Sequence, residues 1–313
     1  MGLDFLYQLQ IVREATPDVV VLLLQYFADF VASFFPSLII AVVYWCYEKD
    51  AGKRFFMAYA SATAVTNFLK ICICRSRPWI LDSRLHIYPS AEESATGYST
   101  PSGHSTSAGA LYTATAVECK KRGITVICVM LILGTAFVRM FLGAHTPMDV
   151  TLGVIVGVVC VFVMNKILEL VDSKTNGDII LLVISCVIFV VAVIFTVMKS
   201  YPANYDLNGV LVENPIELRE DTIKGFSLFI GVVAGIVFEK RCVRFTTDID
   251  NKTRVGRVII GVVLTLFVYV IIGALIKLIF GTFVSALIKR ALAYFTATGF
   301  VPWLFVRVEK RFG

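Results

Sequence analysis

The stretch from Arg139 to Asp149 places a guanidinium, an imidazole and a carboxylate at the junction of two very apolar segments. Thr146-Pro147 is typical of a helix N-cap followed by proline at the first helical position, which puts Asp149 near the third. His145 and Asp149 are four residues apart and share a face if that helix has begun. A carboxylate-held imidazole beside a fixed guanidinium suits a nucleophile or base next to an anion clamp. A polar loop between membrane helices would show the same residues.

A second cluster contains two cations, Lys70 and Arg77, at the end of an earlier apolar segment. They are seven residues apart, or two helical turns, so we expect them to face the same way. Pro78 then ends the helical pattern. Two cations that point alike suit a phosphate or another dianion. Basic side chains that reach from a membrane helix to the interface are the simpler alternative.

The third cluster, Pro101-Ser102-Gly103-His104, opens a further apolar segment. Serine and glycine at a helix start leave backbone N–H groups free, and the helix dipole adds positive potential there. This combination predicts an anion site into which His104 points. An ordinary serine N-cap followed by an unrelated histidine is the alternative.

The three clusters occur in order as Lys-x6-Arg-Pro, Pro-Ser-Gly-His and Arg-x5-His-x3-Asp, each at the end of an apolar segment. This pattern resembles the signature of the type 2 phosphatidic acid phosphatase (PAP2) superfamily of integral membrane phosphatases. The resemblance covers residues 70–149, about a quarter of the chain. Val138 stands where the family usually has serine before the arginine, and we expect this change to tune activity rather than abolish it.

The resemblance implies a role for each residue of the signature. His145 attacks phosphorus and forms a phosphohistidine, Asp149 orients His145, and His104 protonates the leaving oxygen. The residues implied to hold the phosphoryl oxygens are Lys70, Arg77, Ser102, Gly103 and Arg139. We expect a bell-shaped pH dependence, because one histidine must be neutral and the other protonated.

Neither a metal nor another cofactor is expected. Phosphoryl transfer needs mainly positioning and charge stabilisation, which three cations and helix N-terminal amides can supply. No acidic cluster suited to Mg²⁺ or Zn²⁺ accompanies the motifs. The chain has three histidines, and its eight cysteines form no zinc-type spacing, so they are interpreted as small apolar packing residues.

The composition predicts an all-α, polytopic transmembrane bundle with a PAP2-type helical core. Of 313 residues, 58% are hydrophobic and 17% charged, and the mean hydropathy is +0.80. Such values exclude a soluble domain of this size. About nine spans are predicted, the first either kinked or divided in two: 17–47, 55–73, 103–118, 124–143, 148–170, 178–198, 223–239, 256–280 and 284–306.

The chain is expected to form one bundle with three parts. Residues 1–16 are predicted as an interfacial amphipathic helix, 17–200 as the phosphatase core, and 201–313 as an outer loop with C-terminal transmembrane helices. Packing of the bundle, a lipid access route and a dimer face all remain open as roles for the last three spans. Glycine pairs such as Gly153/Gly157 predict close helix contacts.

The distribution of basic residues predicts the orientation. Most lysines and arginines fall in loops on one side, which the positive-inside rule makes cytoplasmic. The segments 75–102, 143–147 and 199–222, and with them the three motifs, lie on the other side. We expect a bacterial inner membrane with a periplasmic or extracellular site first, and an endoplasmic reticulum membrane with a luminal site second.

A lipid phosphate is the expected substrate, because the site lies at the water–lipid boundary. Phosphatidic acid, phosphatidylglycerol phosphate and a polyprenyl diphosphate are candidates. The nine-span layout is also similar to the glucose-6-phosphatase branch, which keeps a sugar phosphate as an alternative. A non-catalytic lipid-binding or transport relative is disfavoured, since it would not need His104, His145 and Asp149. No nucleic-acid partner is expected, and a homodimer is possible.

Two outer segments are open to more than one interpretation. The connection 79–100 could cover the site and contribute to head-group choice, whereas its Trp79, Tyr88 and Tyr98 could equally be interfacial anchors. His86 is interpreted as a surface histidine. The loop 201–222 is acidic and could shape access or simply be solvated.

Overall fold

The computed structural model describes residues 2–32, 34–92, 95, 97–202, 204–205, 211–213 and 215–312. Within this part of the chain the fold is a bundle of long helices, as predicted. The helices are, in chain order, α1 (Leu3–Glu14), α2 (Asp18–Ala32), α3 (Phe34–Cys46), α4 (Lys49–Ile73), α5 (Pro78–Leu81), α6 (Pro89–Glu92), α7 (Gly103–Cys119), α8 (Arg122–Phe141), α9 (Pro147–Asp172), α10 (Gly177–Met198), α11 (Pro215–Phe238), α12 (Asn251–Phe267), α13 (Gly273–Phe295) and α14 (Val301–Phe312).

Shorter elements complete the chain. The strands β1 (Asn204–Tyr205) and β2 (Leu211–Glu213) pair antiparallel in the outer loop. Turns of π-helix continue the C-terminal helices at Glu239–Val243, Val268–Ile272 and Thr296–Phe300.

Seven helical segments of the described chain are long and apolar enough to cross a membrane. One of them, Asn251–Lys310, spans two of the predicted segments and contains non-helical backbone at Gly281 (φ 80°, ψ 179°). The 17-residue helix α7 coincides with the predicted span 103–118 but is not among the seven. Each of the nine predicted spans therefore falls on helix, whereas nine separate crossings are not established.

The first predicted span corresponds to two helices. α2 and α3 flank residue 33, which lies outside the described residues, and together they count as one candidate span of 29 residues. α2 packs against α7 and α8, whereas α3 packs against α4 and α12. The halves of this segment thus serve different parts of the bundle.

The starts of α7 and α9 are fixed by local side-chain bonds. Ser102 is the N-cap of α7. Thr146 is the N-cap of α9, with Pro147 at the first position and a reciprocal capping box to Asp149, as predicted. Because a helix start leaves its first amides unsatisfied, these caps determine where each motif leaves the loop and enters the helix.

α7 and α9 cross closely because small residues face each other. A Cβ atom on Gly153 would lie 2.7 Å from the Ser102 carbonyl oxygen, and one on Gly157 would lie 2.5 Å from that of Thr106. The predicted close contact at this glycine pair is therefore present. It brings the second and third motifs side by side at one end of the bundle.

The opposite end of the bundle carries most of the basic residues, and several of them are paired. Lys49 Nζ lies 2.9 Å from Glu239 Oε1, and Arg54 binds Glu118 at 2.7 Å. Arg257 is buried and binds Glu309 at 2.7 Å. An aromatic cluster that includes Trp45 and Phe305 fills the adjacent interior.

α1 packs across the end of the bundle that holds the motifs. Its Arg13 is buried and donates to the carbonyl oxygens of His86 (2.7 Å) and Phe141 (3.2 Å). Gln10 bonds to both Arg84 and His86 backbone groups. The helix is thus tied to the 79–100 connection and to α8, while its predicted place at a membrane surface stays a prediction.

The eight cysteines are free and differ in exposure, with Cys74 partly buried. Cys46, Cys128 and Cys160 are buried, as expected of packing residues. The interpretation is wrong for four others, which are exposed on the surface of the bundle: Cys72, Cys119, Cys186 and Cys242.

Candidate active site

A cavity of ≈310 Å³ opens where the three motifs meet. Of the eight predicted site residues, the following line it: Lys70, Arg77, Gly103, His104 and His145. Ser102, Arg139 and Asp149 are each 0% exposed and lie behind this lining. The structure therefore gathers the signature into a layer that lines the cavity and a buried layer behind it.

His145 presents its Nε2 atom to a guanidinium. Arg77 Nη1 lies 3.2 Å from His145 Nε2. Because a guanidinium can only donate, Nε2 accepts this bond and carries no proton. The proton of the neutral imidazole then sits on Nδ1, and the electron pair of Nε2 points towards Arg77.

His145 and Asp149 are neighbours without a direct hydrogen bond. The distance from His145 Nδ1 to Asp149 Oδ2 is 3.9 Å, since His145 precedes the N-cap rather than lying within α9. Ser99 Oγ stands between them, 3.4 Å from Nδ1 and 2.7 Å from Oδ2. Ser99 therefore bridges the pair, a contact that the motif spacing does not reveal.

The Asp149 carboxylate accepts three hydrogen bonds within the buried layer. It accepts hydrogen bonds from the hydroxyl groups of Ser99 and Thr100 and from the Thr146 backbone N–H at 2.7 Å. Three donors fix its orientation. The stretch 99–100, which the sequence places in a connection that could cover the site, thus holds the carboxylate.

Arg77 reaches the cavity by a different route from the one predicted. α4 ends at Ile73 and Cys74 adopts a left-handed conformation, so Lys70 and Arg77 do not lie on one continuous helix. The expectation of a shared helical face is wrong, although both side chains line the cavity. Arg77 is held by the Gly97 and Ala144 carbonyl oxygens at 2.7 and 3.1 Å.

His104 is bonded to a carboxylate that the motifs do not contain. His104 Nε2 lies 2.9 Å from Asp29 Oδ1, and Arg139 Nη1 lies 4.0 Å from the same oxygen. Asp29 belongs to α2, 75 residues before His104. The available signal was a carboxylate inside an apolar span, which is a functional hypothesis by default.

The start of α7 offers fewer free amides than expected. The Ser102 backbone N–H donates to the Asp149 carbonyl oxygen at 2.9 Å, so it is not available to a ligand. Gly103 borders the cavity, and a Cβ atom placed there would meet no atom within 4 Å. The open space of the cavity at this helix start therefore begins at Gly103.

Residues outside the motifs complete the cavity wall. α4 contributes Thr63 and Asn67, α11 contributes Asp221 and Thr222, and α13 contributes Arg290. The acidic outer loop therefore continues into a carboxylate at the cavity. Asp206 lies outside the described residues.

Tyr98 is buried and donates to the Pro202 carbonyl oxygen at 2.9 Å, so its interpretation as an interfacial anchor is wrong. His86 is exposed, as expected of a surface histidine.

Val138 packs in a buried apolar cluster and does not line the cavity. The departure from the family pattern at this position thus removes no group from the wall.

Burial and neighbouring cations hold the pKa of His145 well below its ordinary value. Burial is the largest cause, followed by the positive charges of Arg77, Arg139 and Lys70. The imidazole is therefore neutral, in agreement with the tautomer that Arg77 requires.

Within the described residues, no three His, Cys, Asp or Glu side chains are grouped to hold a metal ion. The charged groups that face the cavity are instead mainly cations. A set of this kind binds a phosphoryl group directly through charge-assisted hydrogen bonds.

The comparisons with known proteins agree with this arrangement. Residues 51–171 match the family model of the PAP2 superfamily, and residues 223–311 match that of the PAP2 superfamily phosphatase transmembrane extension. Neither a curated protein nor a solved structure matches the chain significantly. With both matches covering most of a chain built of membrane-spanning helices, this multi-pass membrane protein belongs to the PAP2 superfamily.

Proposed function

We propose that this protein is a metal-independent membrane phosphatase that hydrolyses a lipid phosphate through a phosphohistidine. The observation that carries the proposal is the cavity in which His145 Nε2 and the side chains of Lys70, Arg77 and His104 converge. A neutral nucleophile, a group able to carry a proton and several fixed cations are the parts that phosphoryl transfer needs.

In the first step, the Nε2 electron pair of His145 forms a bond to phosphorus as the bond from phosphorus to the leaving oxygen breaks. Its electron pair passes to that oxygen, which takes a proton from His104. Lys70 and Arg77 bind the equatorial oxygens, and the Gly103 end of α7 adds positive potential. Arg139 strengthens this field from the buried layer.

In the second step, water attacks the phosphohistidine and His104 takes a proton from it. The bond from phosphorus to Nε2 breaks, inorganic phosphate leaves and His145 is restored as the neutral imidazole. Asp149 stabilises the charged histidine through Ser99 and fixes its orientation.

Asp29 is proposed to orient His104 and to favour its protonated form. Burial opposes protonation most strongly, and the positive charge of Arg139 adds to it. A phosphate dianion in the cavity acts in the opposite direction, so substrate binding favours the protonated form of His104. Asp29 acts through His104 and is a positioning residue.

The location of the cavity supports a lipid substrate over a sugar phosphate. Its wall includes Leu218 of α11 and Arg290 of α13, and α13 belongs to the transmembrane extension, so the cavity borders helices of the membrane-spanning bundle that a lipid chain can contact. We propose an extracytoplasmic site, because the basic loops that indicate the cytoplasmic side lie at the other end of the bundle.

The test is phosphate release by the purified protein in detergent from phosphatidic acid, phosphatidylglycerol phosphate, a polyprenyl diphosphate and glucose-6-phosphate. We expect release from lipid phosphates by the wild type and by His86→Ala, whose histidine is exposed, but not by His145→Ala. Equal release by wild type and His145→Ala would overturn the nucleophile assignment. Release from glucose-6-phosphate alone would overturn the lipid assignment.

Two additions test the mechanism. Activity should persist in EDTA, because the residues at the cavity supply the charge stabilisation. Vanadate should inhibit, because mimics of a transition state bind more tightly than substrates. Loss of activity in EDTA that Mg²⁺ restores would contradict the metal-independent mechanism.

A further inference from the structure

A second cavity lies inside the bundle, farther from the outer end than the catalytic one. Its volume is ≈340 Å³, and its wall is mostly apolar and aromatic, with Trp45, Phe56 and Leu228 among the buried lining residues. Nine of its fifteen lining residues lie within 223–311, the transmembrane extension, and the other six come from α3 and α4. We refer to this space as the inner chamber.

One face of α4 lines both cavities in succession. Lys70, Asn67 and Thr63 border the catalytic cavity, and Tyr59 and Phe56 border the inner chamber. These positions are spaced by three or four residues, so they form a single stripe along the helix. At 1.5 Å per residue, the stripe runs about 21 Å from Lys70 towards the other side of the bundle.

The same order holds on the facing helices. On α11, Asp221 and Thr222 border the catalytic cavity and Leu228 borders the chamber. On α13, Arg290 lines both cavities, and Ala293 follows in the chamber only. Three helices thus carry mainly polar lining at the catalytic cavity and mainly apolar lining in the chamber, and the two spaces share Arg290 in their walls.

Arg290 marks the point where the lining changes. It is partly buried, and the described part of the chain provides no ion pair or hydrogen bond for its guanidinium. A cation among membrane helices is costly unless an anion accompanies it. Its position beside both cavities supplies one when a phosphate-bearing ligand is bound.

We propose that the inner chamber receives the hydrocarbon chain of the substrate and that Arg290 binds oxygen atoms on the leaving-group side of the phosphoryl group. The proposal rests on the proposed function and adds a binding site for the apolar part of the substrate. The substrate is then a phosphoryl group joined to a long apolar chain. A chain in the chamber places the phosphorus at His145. Lipid monophosphates and lipid diphosphates share this chemistry.

Substitutions that fill the chamber with a larger side chain test whether it binds the hydrocarbon chain. Ala293→Phe and Ala41→Phe add a ring from two different helices to its wall, whereas Ala192→Phe adds the same ring at a buried position of α10 that lines neither cavity. Rates are compared for phosphatidic acids with long and with short acyl chains. We expect both chamber variants to lose about 10- to 100-fold in kcat/KM for the long chains, by the scale of hydrophobic-pocket discrimination.

The ratio of long-chain to short-chain rates within each variant separates a filled chamber from general damage to the fold. Short-chain hydrolysis should stay near the wild-type rate in the chamber variants, and the ratio should not change in Ala192→Phe. Equal losses for both chain lengths, or no loss, would overturn the chamber while leaving lipid hydrolysis by the wild type intact. If the wild type hydrolyses no lipid phosphate of any chain length, the proposed function itself fails.

A second measurement uses the unmodified protein, so it does not depend on whether the fold tolerates an added phenylalanine. A long-chain alkyl phosphonate with a photoreactive diazirine at the chain end should label peptides of α3 or α12 that line the chamber. Labelling confined to outward-facing residues such as Val191 and Met198 of α10 would overturn the proposal. Excess long-chain phosphatidic acid should suppress the specific labelling.

Arg290 has a matched control on the same helix, α13. Arg290→Gln should raise KM for lipid monophosphate and diphosphate of the same chain by about tenfold, the effect of one lost charge-assisted bond. Lys277→Gln removes the same charge from an exposed position that lines neither cavity, so KM should stay unchanged. A larger rise in KM for the diphosphate than for the monophosphate would identify the lipid diphosphate as the preferred substrate. Equal KM values in both variants would overturn the role of Arg290.

Discussion

Each histidine of the cavity has its own carboxylate, and the two carboxylates come from different parts of the chain. Asp149 serves His145 through Ser99, and Asp29 serves His104 directly. Each ring is therefore positioned beside a carboxylate of its own, while the charge of His104 also acts on His145.

Asp29→Asn should slow the reaction according to how much the leaving group needs a proton. We expect kcat for a lipid alkyl phosphate to fall about 10- to 100-fold, within the range of general acid–base catalysis. p-Nitrophenyl phosphate, whose leaving group needs no proton, should be affected far less. Asp18→Asn, an exposed carboxylate of the same helix, is the control. Similar losses for both substrates would speak for a structural role of Asp29 instead.

Gly103→Ala should fold normally and bind phosphate poorly. The added methyl group meets no protein atom within 4 Å but enters the space next to the cavity. We expect the inhibition constant of vanadate to rise about tenfold or more, with no change in unfolding temperature. Gly123→Ala is the matched control, because its methyl group also meets no atom and lies away from the cavity. Unchanged vanadate inhibition would place the anion elsewhere.

The lowered pKa of His145 makes a prediction about stability at acid pH. The unfolded chain takes up a proton at this residue near pH 6.5, whereas the folded protein does so only at lower pH. Stability contributed by the neutral imidazole is therefore present above about pH 6.5 and is lost as the pH falls below it. The slope is at most about 1.4 kcal/mol per pH unit.

The measurement compares unfolding temperatures of wild type and His145→Gln between pH 7.5 and 5. Because the glutamine does not titrate, the wild type should lose more stability on acidification than the variant. Parallel curves would mean that His145 titrates at its ordinary pKa in the folded protein.

At the scale of elements, the site depends on how closely α7 and α9 approach. These helices carry the second and third motifs, and the glycines of α9 allow backbone contact between them. The bond from the Ser102 amide to the Asp149 carbonyl oxygen then joins their two starts. The distance between His104 and His145 is therefore set by helix packing rather than by the loops.

Gly157→Ala should separate the two helices. The new Cβ atom would lie 2.5 Å from the Thr106 carbonyl oxygen and 2.6 Å from the Ala110 nitrogen, so the backbone must shift. We expect a destabilisation of about 1–3 kcal/mol, as for other overpacked sites, together with a loss of kcat. Gly256→Ala in α12 meets no neighbouring atom and should change neither quantity. A stable, fully active Gly157→Ala would show that the crossing is tolerant.

At the scale of the whole molecule, the fold was largely predictable because apolar run lengths and the membrane limit the choice to helices. The motif residues that line the cavity were predictable for a similar reason, since each stands at a helix end. Asp29 and Arg290 were not predictable as partners, because they reach the site through packing of helices distant in sequence. The inner chamber could not be predicted from the sequence, because no periodicity shows which faces of α4, α11 and α13 enclose a space.

The two family matches correspond to different parts of the cavities. The first match, 51–171, contains the motifs, while the second, 223–311, supplies most of the inner chamber and Arg290. α2, which carries Asp29, precedes both. The predicted boundaries 1–16, 17–200 and 201–313 remain predictions, and the outer segment contributes to the cavity wall through α11.

The exposed cysteines give the native chain its own reporters of sidedness. Cys72 lies near the motif end of α4, while Cys119 and Cys242 lie at the opposite end of the bundle. In sealed cells expressing variants that retain one of these thiols, an impermeant maleimide should modify Cys72 but reach Cys119 and Cys242 only after permeabilisation. The opposite pattern would place the catalytic cavity in the cytoplasm. Three thiols already present can thus decide which aqueous compartment receives the released phosphate.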